Sequence, residues 1–236
     1  MSKIAIMQPY FFPYLGYFSL IKNTDRFILL DNVQFIRHGW IERNRILKQD
    51  DGWLYIKVPL VKHQRDTLIK DVQIDTSQEW QNKIIAQLQP YKKIAPNYAV
   101  VNDLVSGVIN KNFDNIVDLN QATIEVVCKY LGIKRDIEVF SKTGIKIDDP
   151  KSPDEWALNI CKSIDGVSEY WNSPGGQEFF DTSKYSDAGI KICFQKVALE
   201  EYNQKREFEA GLSIIDVMMF NSPEEINKML DNYELV

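Results

Sequence analysis

Histidine is nearly absent from this chain: two in 236 residues, His38 and His63. Any mechanism that needs an imidazole has to use one of them. Cysteine is scarce too. Cys128, Cys161 and Cys193 are far apart, odd in number and outside any zinc-ligand spacing, so buried free thiols are expected and no metal site. No apolar run reaches membrane-spanning length, and Met1-Ser2-Lys3 leads into a strand rather than a signal peptide. The expectation is a cytoplasmic protein without membrane insertion. Positive charge is not in excess: 28 Lys and Arg face 33 Asp and Glu, a net charge of -5. That argues against a nucleic-acid partner and leaves room for a local basic patch that holds an anion. A phosphate-binding P-loop is also missing, because no Gly-rich turn ends in Lys-Ser or Lys-Thr.

What is present is concentrated at the start. An apolar strand from Lys3 to Met7 runs into Gln8-Pro-Tyr-Phe-Phe-Pro-Tyr-Leu-Gly-Tyr17. Pro9 cannot donate to a strand ladder, so the strand should stop near Gln8. Pro13 biases Phe12 away from helix, so the following helix should occupy Tyr14 to Lys22. Strand, rigid aromatic loop and helix is the layout that puts a ligand at the carboxyl end of a strand in an α/β sheet. The same rings also suit a structural plug between sheet and helix.

Further along, Asp25–Gln34, Trp53–Pro59, Leu68–Ile74, Asp136–Ser141, Glu169–Asn172 and Lys191–Phe194 read as strands. Apolar residues change to helical spacing between 77 and 132, with helices over Tyr98–Ile109 and Asn115–Leu131, the latter closed by Gly132. Asp154–Ile164 and Leu212–Phe220 are further helices, and Ser222-Pro223 opens the last one as N-cap and first helical residue. The reading is a single α/β domain over 1–236: a mainly parallel central sheet, flanking helices and a helical insertion at about 77–132.

Polar chemistry gathers in the stretch from Asp31 to Arg45. Asp31, Asn32 and Gln34 stand at the end of the expected second strand, with His38, Arg43, Asn44 and Arg45 within a dozen residues. A carboxylate within reach of an imidazole orients a base, so Asp31, Asn32 and His38 form the candidate catalytic group. Arg43 or Arg45 offers a planar fork for a diphosphate. Surface ion pairs of these arginines with Glu42 and Asp50, and an exposed His38, are the alternative. Asn172-Ser173-Pro174-Gly175-Gly176 is either a phosphate-binding turn before a helix or plain turn punctuation. Asp216, on an apolar helix, needs a partner and reads as a structural carboxylate. His63, between Lys62 and Arg65, reads as solvated.

The opening Gln8-to-Tyr17 motif resembles that of the WbqC-like family, found in bacterial O-antigen gene clusters. Leu30-Asp-Asn-Val-Gln-Phe35, Arg43-Asn-Arg-Ile46, Asn172-Ser-Pro-Gly-Gly176 and Leu212-Ser-Ile-Ile-Asp216 extend the resemblance along nearly the whole chain. It implies transfer of an aminoacyl group, such as glycyl, to the amine of a nucleotide-linked sugar. No tightly bound cofactor is implied; the donor would be a thioester on the phosphopantetheine arm of a carrier protein. Gln8, Tyr10, Tyr14, Tyr17, Gln34, Arg43, Asn44, Arg45, Asn172, Ser173 and Gly175 would then hold the nucleotide sugar, and His38 would take the amine proton. The alternatives are a non-catalytic nucleotide-sugar-binding protein and a nucleotidyltransferase-like enzyme. For the latter, the positions of the His-x-Gly-His signature hold Tyr14-Leu-Gly-Tyr17, without histidine.

Overall fold

A computed structural model describes residues 2–236. Strand β1 (Ser2–Met7) passes through the aromatic loop into helix α1 (Leu15–Asn23), which returns the chain to β2 (Arg26–Leu29) beside β1. The pairing is parallel, with Ile6 opposite Ile28. Strands β3 (Arg43–Leu47) and β4 (Trp53–Lys57) follow, then helices α2 (Trp80–Leu88), α3 (Tyr98–Ile109) and α4 (Ile116–Leu131). The chain re-enters the sheet as β5 (Ile137–Val139), then makes the short α5 (Phe140–Thr143) and α6 (Glu155–Lys162). Next come β6 (Val167–Asn172), α7 (Thr182–Asp187), β7 (Lys191–Val197), α8 (Ile214–Phe220), α9 (Pro223–Asp231) and β8 (Tyr233–Leu235).

The central sheet has six strands in the order β5-β2-β1-β6-β7-β8, parallel throughout except for β8. Side chains alternate across it as the pleat requires. Ala5, Met7, Phe27, Leu29 and Trp171 face one core layer with residues of α1, α3, α4, α8 and α9. Ile4, Ile6, Ile28 and Tyr170 face the other, against Ala157, Ile160 and Tyr185 of α6 and α7. This is a three-layer α/β protein. The chain leaves β1 towards β2 on one side and comes back to it as β6 on the other. The carboxyl ends of these three strands are therefore where the strand order switches and a crevice opens.

Two expected strands are corrected, and two further strands lie where none was expected. The strand expected over Asp25–Gln34 ends at Leu29, and Leu30–Gln34 forms a loop. Leu68–Ile74 is not a strand but a 3-10 turn (Ile69–Asp71) flanked by isolated bridges, Gln34 with Leu68 and Leu60 with Ile74. Trp53–Lys57 is a strand but stays outside the main sheet, paired antiparallel with Arg43–Leu47. That partner strand is hard to read from the sequence because its inward positions are Asn44 and Ile46 while its outward ones are arginines, which hides the usual apolar alternation. The C-terminal β8 was also unforeseen. By contrast, Ser222 and Glu225 form a reciprocal capping box at α9, with Pro223 in the first turn.

Candidate functional site

The aromatic loop is held by side chains that arrive from distant parts of the chain. Tyr17 donates its hydroxyl to the Gln8 carbonyl at 2.8 Å. The Asn120 amide reaches the Pro9 carbonyl at 2.8 Å. Asn44 donates to the carbonyls of Phe11 and Phe12 at 3.1 and 2.8 Å. Ser213 adds a second bond to the Phe12 carbonyl at 2.7 Å, and the Ile214 amide meets the Pro13 carbonyl at 2.9 Å. Phe11 and Phe12 are fully buried, and Phe12 adopts φ +40. A non-glycine residue keeps such a backbone only where its surroundings over-determine it. The plug and the platform are thus one object: Phe11 and Phe12 point into the core, and Tyr10 and Tyr14 line a cleft.

That cleft encloses about 1140 Å³ at the carboxyl ends of β1, β2 and β6. It brings together Gln8, Tyr10, Tyr14, Asn32, Gln34, Asn44, Arg45, Asn172, Ser173 and Gly175 from four separated stretches of sequence. Burial pushes the phenols of Tyr10 and Tyr14 up, with Tyr14 itself adding to the shift at Tyr10. They are hydrogen-bond donors near neutral pH and cannot act as bases. Tyr170 lies deeper and is pushed up well beyond them by burial. Asn172 donates to the Tyr170 hydroxyl at 2.9 Å and accepts from the Ser173 amide at 2.7 Å. After it, Pro174–Phe179 forms a 3-10 helix.

Charge in the cleft is of one sign. Among its described residues the ionisable groups other than tyrosine are Arg45 and Lys151, and neither forms an ion pair. Arg45 donates one bond, to the Gly211 carbonyl at 3.0 Å, and its buried Nε has no partner. Trp40 and Trp53 flank the guanidinium, with ring centres 5.5 and 5.1 Å from its carbon. A cation held in place by rings and a carbonyl, with no carboxylate paired to it, is arranged for an anionic ligand. The ion pairs considered between the arginines and Glu42 or Asp50 are not formed.

Four expected site residues lie outside the cleft wall. Tyr17 is fully buried in the core. Arg43 stacks on Tyr55 at 4.1 Å, on the outer face of the hairpin. Asp31 is buried and uses both oxygens on Ser141, at 3.0 Å to its amide and 2.5 Å to its hydroxyl. His38 is exposed at φ +63, and its backbone amide and carbonyl bond Glu42 and Arg43. No hydrogen bond joins Asp31 to His38 among the described residues, so the expected imidazole–carboxylate pair is absent. Both Asp31 oxygens are taken by Ser141, and His38 stands in an exposed loop seven residues on.

Sequence reasoning missed Trp40, Lys151, Trp156, Phe179 and Phe180 in the cleft wall. Lys151 sits in Pro150-Lys-Ser-Pro153, a doubly proline-bounded loop before α6, which was the available signal. Elsewhere, Asp216 is buried and accepts from Tyr91 and Tyr202, both at 2.5 Å, and from Gln204 at 2.8 Å, a structural role as expected. His63 is not simply solvated: it packs edge-on against Phe35 at 5.0 Å, with Nδ1 2.9 Å from the Val61 carbonyl. The three cysteines are free and buried, and burial pushes Cys128 and Cys161 up to about 12. No group of His, Cys, Asp and Glu able to hold a metal ion occurs among the described residues.

The WbqC-like protein family model matches residues 8–228. The chain belongs to the WbqC-like protein family. Its matched span begins at Gln8, at the head of the aromatic loop, and includes every wall of the cleft except Ile6 and Met7. It is also 28% identical over 225 residues to an uncharacterized protein of Mycobacterium tuberculosis, covering 94% of each chain. No solved structure matches. No helix is long and apolar enough to cross a membrane among the described residues.

Proposed function

We propose that the cleft binds a nucleotide-linked amino sugar and that the protein places an aminoacyl group, such as glycyl, on the sugar amine. The observation that carries the binding half is a strand-end cleft with two unpaired cations and no carboxylate or histidine in its wall. Arg45 and Lys151 would hold the diphosphate. Tyr10, Tyr14 and Trp40 would stack on the base and sugar, and Gln8, Asn32, Gln34, Asn172 and Ser173 would bond hydroxyls. The aminoacyl half rests on membership of the family and on the chemistry such a cleft permits.

An activated donor makes that chemistry possible without a nucleophile or metal. The neutral sugar amine attacks the thioester carbonyl of a carrier-bound glycyl group. A C–N bond forms, the C–S bond breaks, and the thiol leaves with the proton that the amine gives up. What the protein contributes is orientation of two reactants and donors for the carbonyl oxygen. His38, exposed and outside the cleft wall, has no part in this scheme.

A second reading is favoured by the lack of imidazole, carboxylate and thiol in the wall: a protein that binds the nucleotide sugar without turnover. The nucleotidyltransferase-like reading loses its support, since Tyr17 is buried and bonded to the Gln8 carbonyl rather than facing a ligand. Mass spectrometry of a nucleotide-linked 4-amino sugar incubated with the protein and a glycyl-loaded carrier protein separates the first two. Gain of one glycyl unit that requires the protein supports transfer. Binding without that gain supports the second reading.

A further inference from the structure

Two loops beside the cleft mouth carry exposed charge that is mainly positive. Residues 34–41 and 60–67 pack together: the Phe35 amide donates to Thr67 at 2.9 Å, Gln34 to the Arg65 carbonyl at 2.7 Å, and Arg37 to the His63 carbonyl at 3.2 Å. They present Arg37, Lys62 and Arg65 to solvent against a single carboxylate, Asp66. Arg43 adjoins them through its bond to the His38 carbonyl. None of these four cations forms an ion pair among the described residues. In a chain whose net charge is -5 this face is a local exception.

The same loops expose apolar side chains. Ile36 is 61% accessible, Val61 47% and Trp40 39%. Ile36 and Trp40 also form part of the cleft wall. Exposed apolar tips among unpaired cations, continuous with a ligand cleft, describe an interface awaiting an anionic partner.

We infer that this two-loop face docks an acidic carrier protein, whose phosphopantetheine arm enters the cleft past Ile36 and Trp40. The inference rests on the aminoacyl-transfer reading, which requires the donor thioester to arrive at this mouth. Charge complementarity selects an acidic protein. The guanidinium of Arg37 is held by a backbone carbonyl and that of Arg43 by two carbonyls and a ring. Forks fixed in this way suit discrete carboxylates on a folded partner, whereas attraction to a lipid surface needs only charge near the membrane.

Lys62 and Arg65 make no side-chain hydrogen bond among the described residues, so the double variant Lys62→Glu/Arg65→Glu removes the charge without removing such a bond. The experiment is fluorescence anisotropy of a labelled, acidic holo acyl carrier protein titrated with wild type and with this variant across a salt series. Binding that weakens with salt and falls at least about ten-fold in the variant is expected. Affinity for the nucleotide sugar should stay unchanged, as should transfer from a small glycyl-pantetheine thioester, while KM for the loaded carrier rises. No binding by wild type, or equal binding by the variant, overturns the inference. So does a charge-dependent interaction seen only with vesicles of anionic lipid, which would make the face a membrane contact. Anisotropy needs no turnover, so failure of glycyl transfer from both donors would count against the transfer reading separately.

Discussion

The side-chain amide of Asn44 donates to the carbonyl of Phe12 at 2.8 Å, across 32 residues of sequence. The neighbouring residue on the same strand, Arg45, is one of the two cations of the cleft, and the neighbouring residues of Phe12 lead to Tyr10 and Tyr14. One buried amide therefore fixes the distance between the aromatic platform and the positive charge.

Asn44→Ala should cost about 1–3 kcal/mol, because the buried Phe11 carbonyl loses its side-chain donor while that of Phe12 keeps Ser213. Urea titration should show a lower midpoint at unchanged slope. Ligand affinity should fall as well, although in this account Asn44 only positions other groups.

Gly16 packs beneath the Tyr14 ring: a Cβ built there would stand 2.6 Å from three of its side-chain atoms. Gly16→Ala should push that ring into the cleft and weaken nucleotide-sugar binding by about ten-fold. The second readout is Tyr14→Phe/Gly16→Ala, which should be no worse than Gly16→Ala alone if displacement of the ring is the cause.

His38→Asn should leave turnover within about two-fold of wild type. Asparagine tolerates the left-handed backbone that His38 adopts at φ +63, and the imidazole makes no contact in the cleft. Steady-state kinetics check this; a loss of about a hundred-fold or more would restore the imidazole as the general base.

Asp216 gives a pH signature. Burial holds its carboxyl above the ordinary 3.8, against the pull of Tyr202, Tyr91 and Gln204 towards the ionised form. A carboxyl whose folded pKa is raised stabilises the fold fully below its unfolded pKa, and that increment is lost as pH rises through the folded value. The stability difference between wild type and Asp216→Asn should therefore favour wild type most at or below pH 3.8 and shrink towards neutrality. Urea titrations of both proteins over this range check the sign; a difference that grows with pH contradicts it.

Much of the framework was legible because its signals are local. Pro9 and Pro13 bound the loop, apolar spacing marks α3 and α4, and Ser222-Pro223 opens α9. The site was half legible. Nine of the eleven expected ligand residues, with Asn32 of the expected catalytic group, meet in one cleft because strand ends converge there in any sheet of this type. Asp31 and His38 stay outside it: Asp31 bonds Ser141, 110 residues away, and nothing near Asp31 in sequence announces that partner. The strand Arg43–Leu47 stayed hidden for a related reason: its inward polar residue, Asn44, takes its meaning from carbonyls of the loop far upstream. Long-range polar pairing, rather than apolar patterning, is what the sequence conceals.

The most direct test of the cleft as a nucleotide-sugar site is calorimetric titration of a nucleotide-linked 4-amino sugar into wild type and Arg45→Gln. Loss of one charge-assisted contact, worth about 1.5–3 kcal/mol, predicts affinity about ten- to a hundred-fold weaker in the variant. Arg43→Gln should bind as wild type does. Absence of binding by wild type, or equal affinity in wild type and Arg45→Gln, would contradict the assignment.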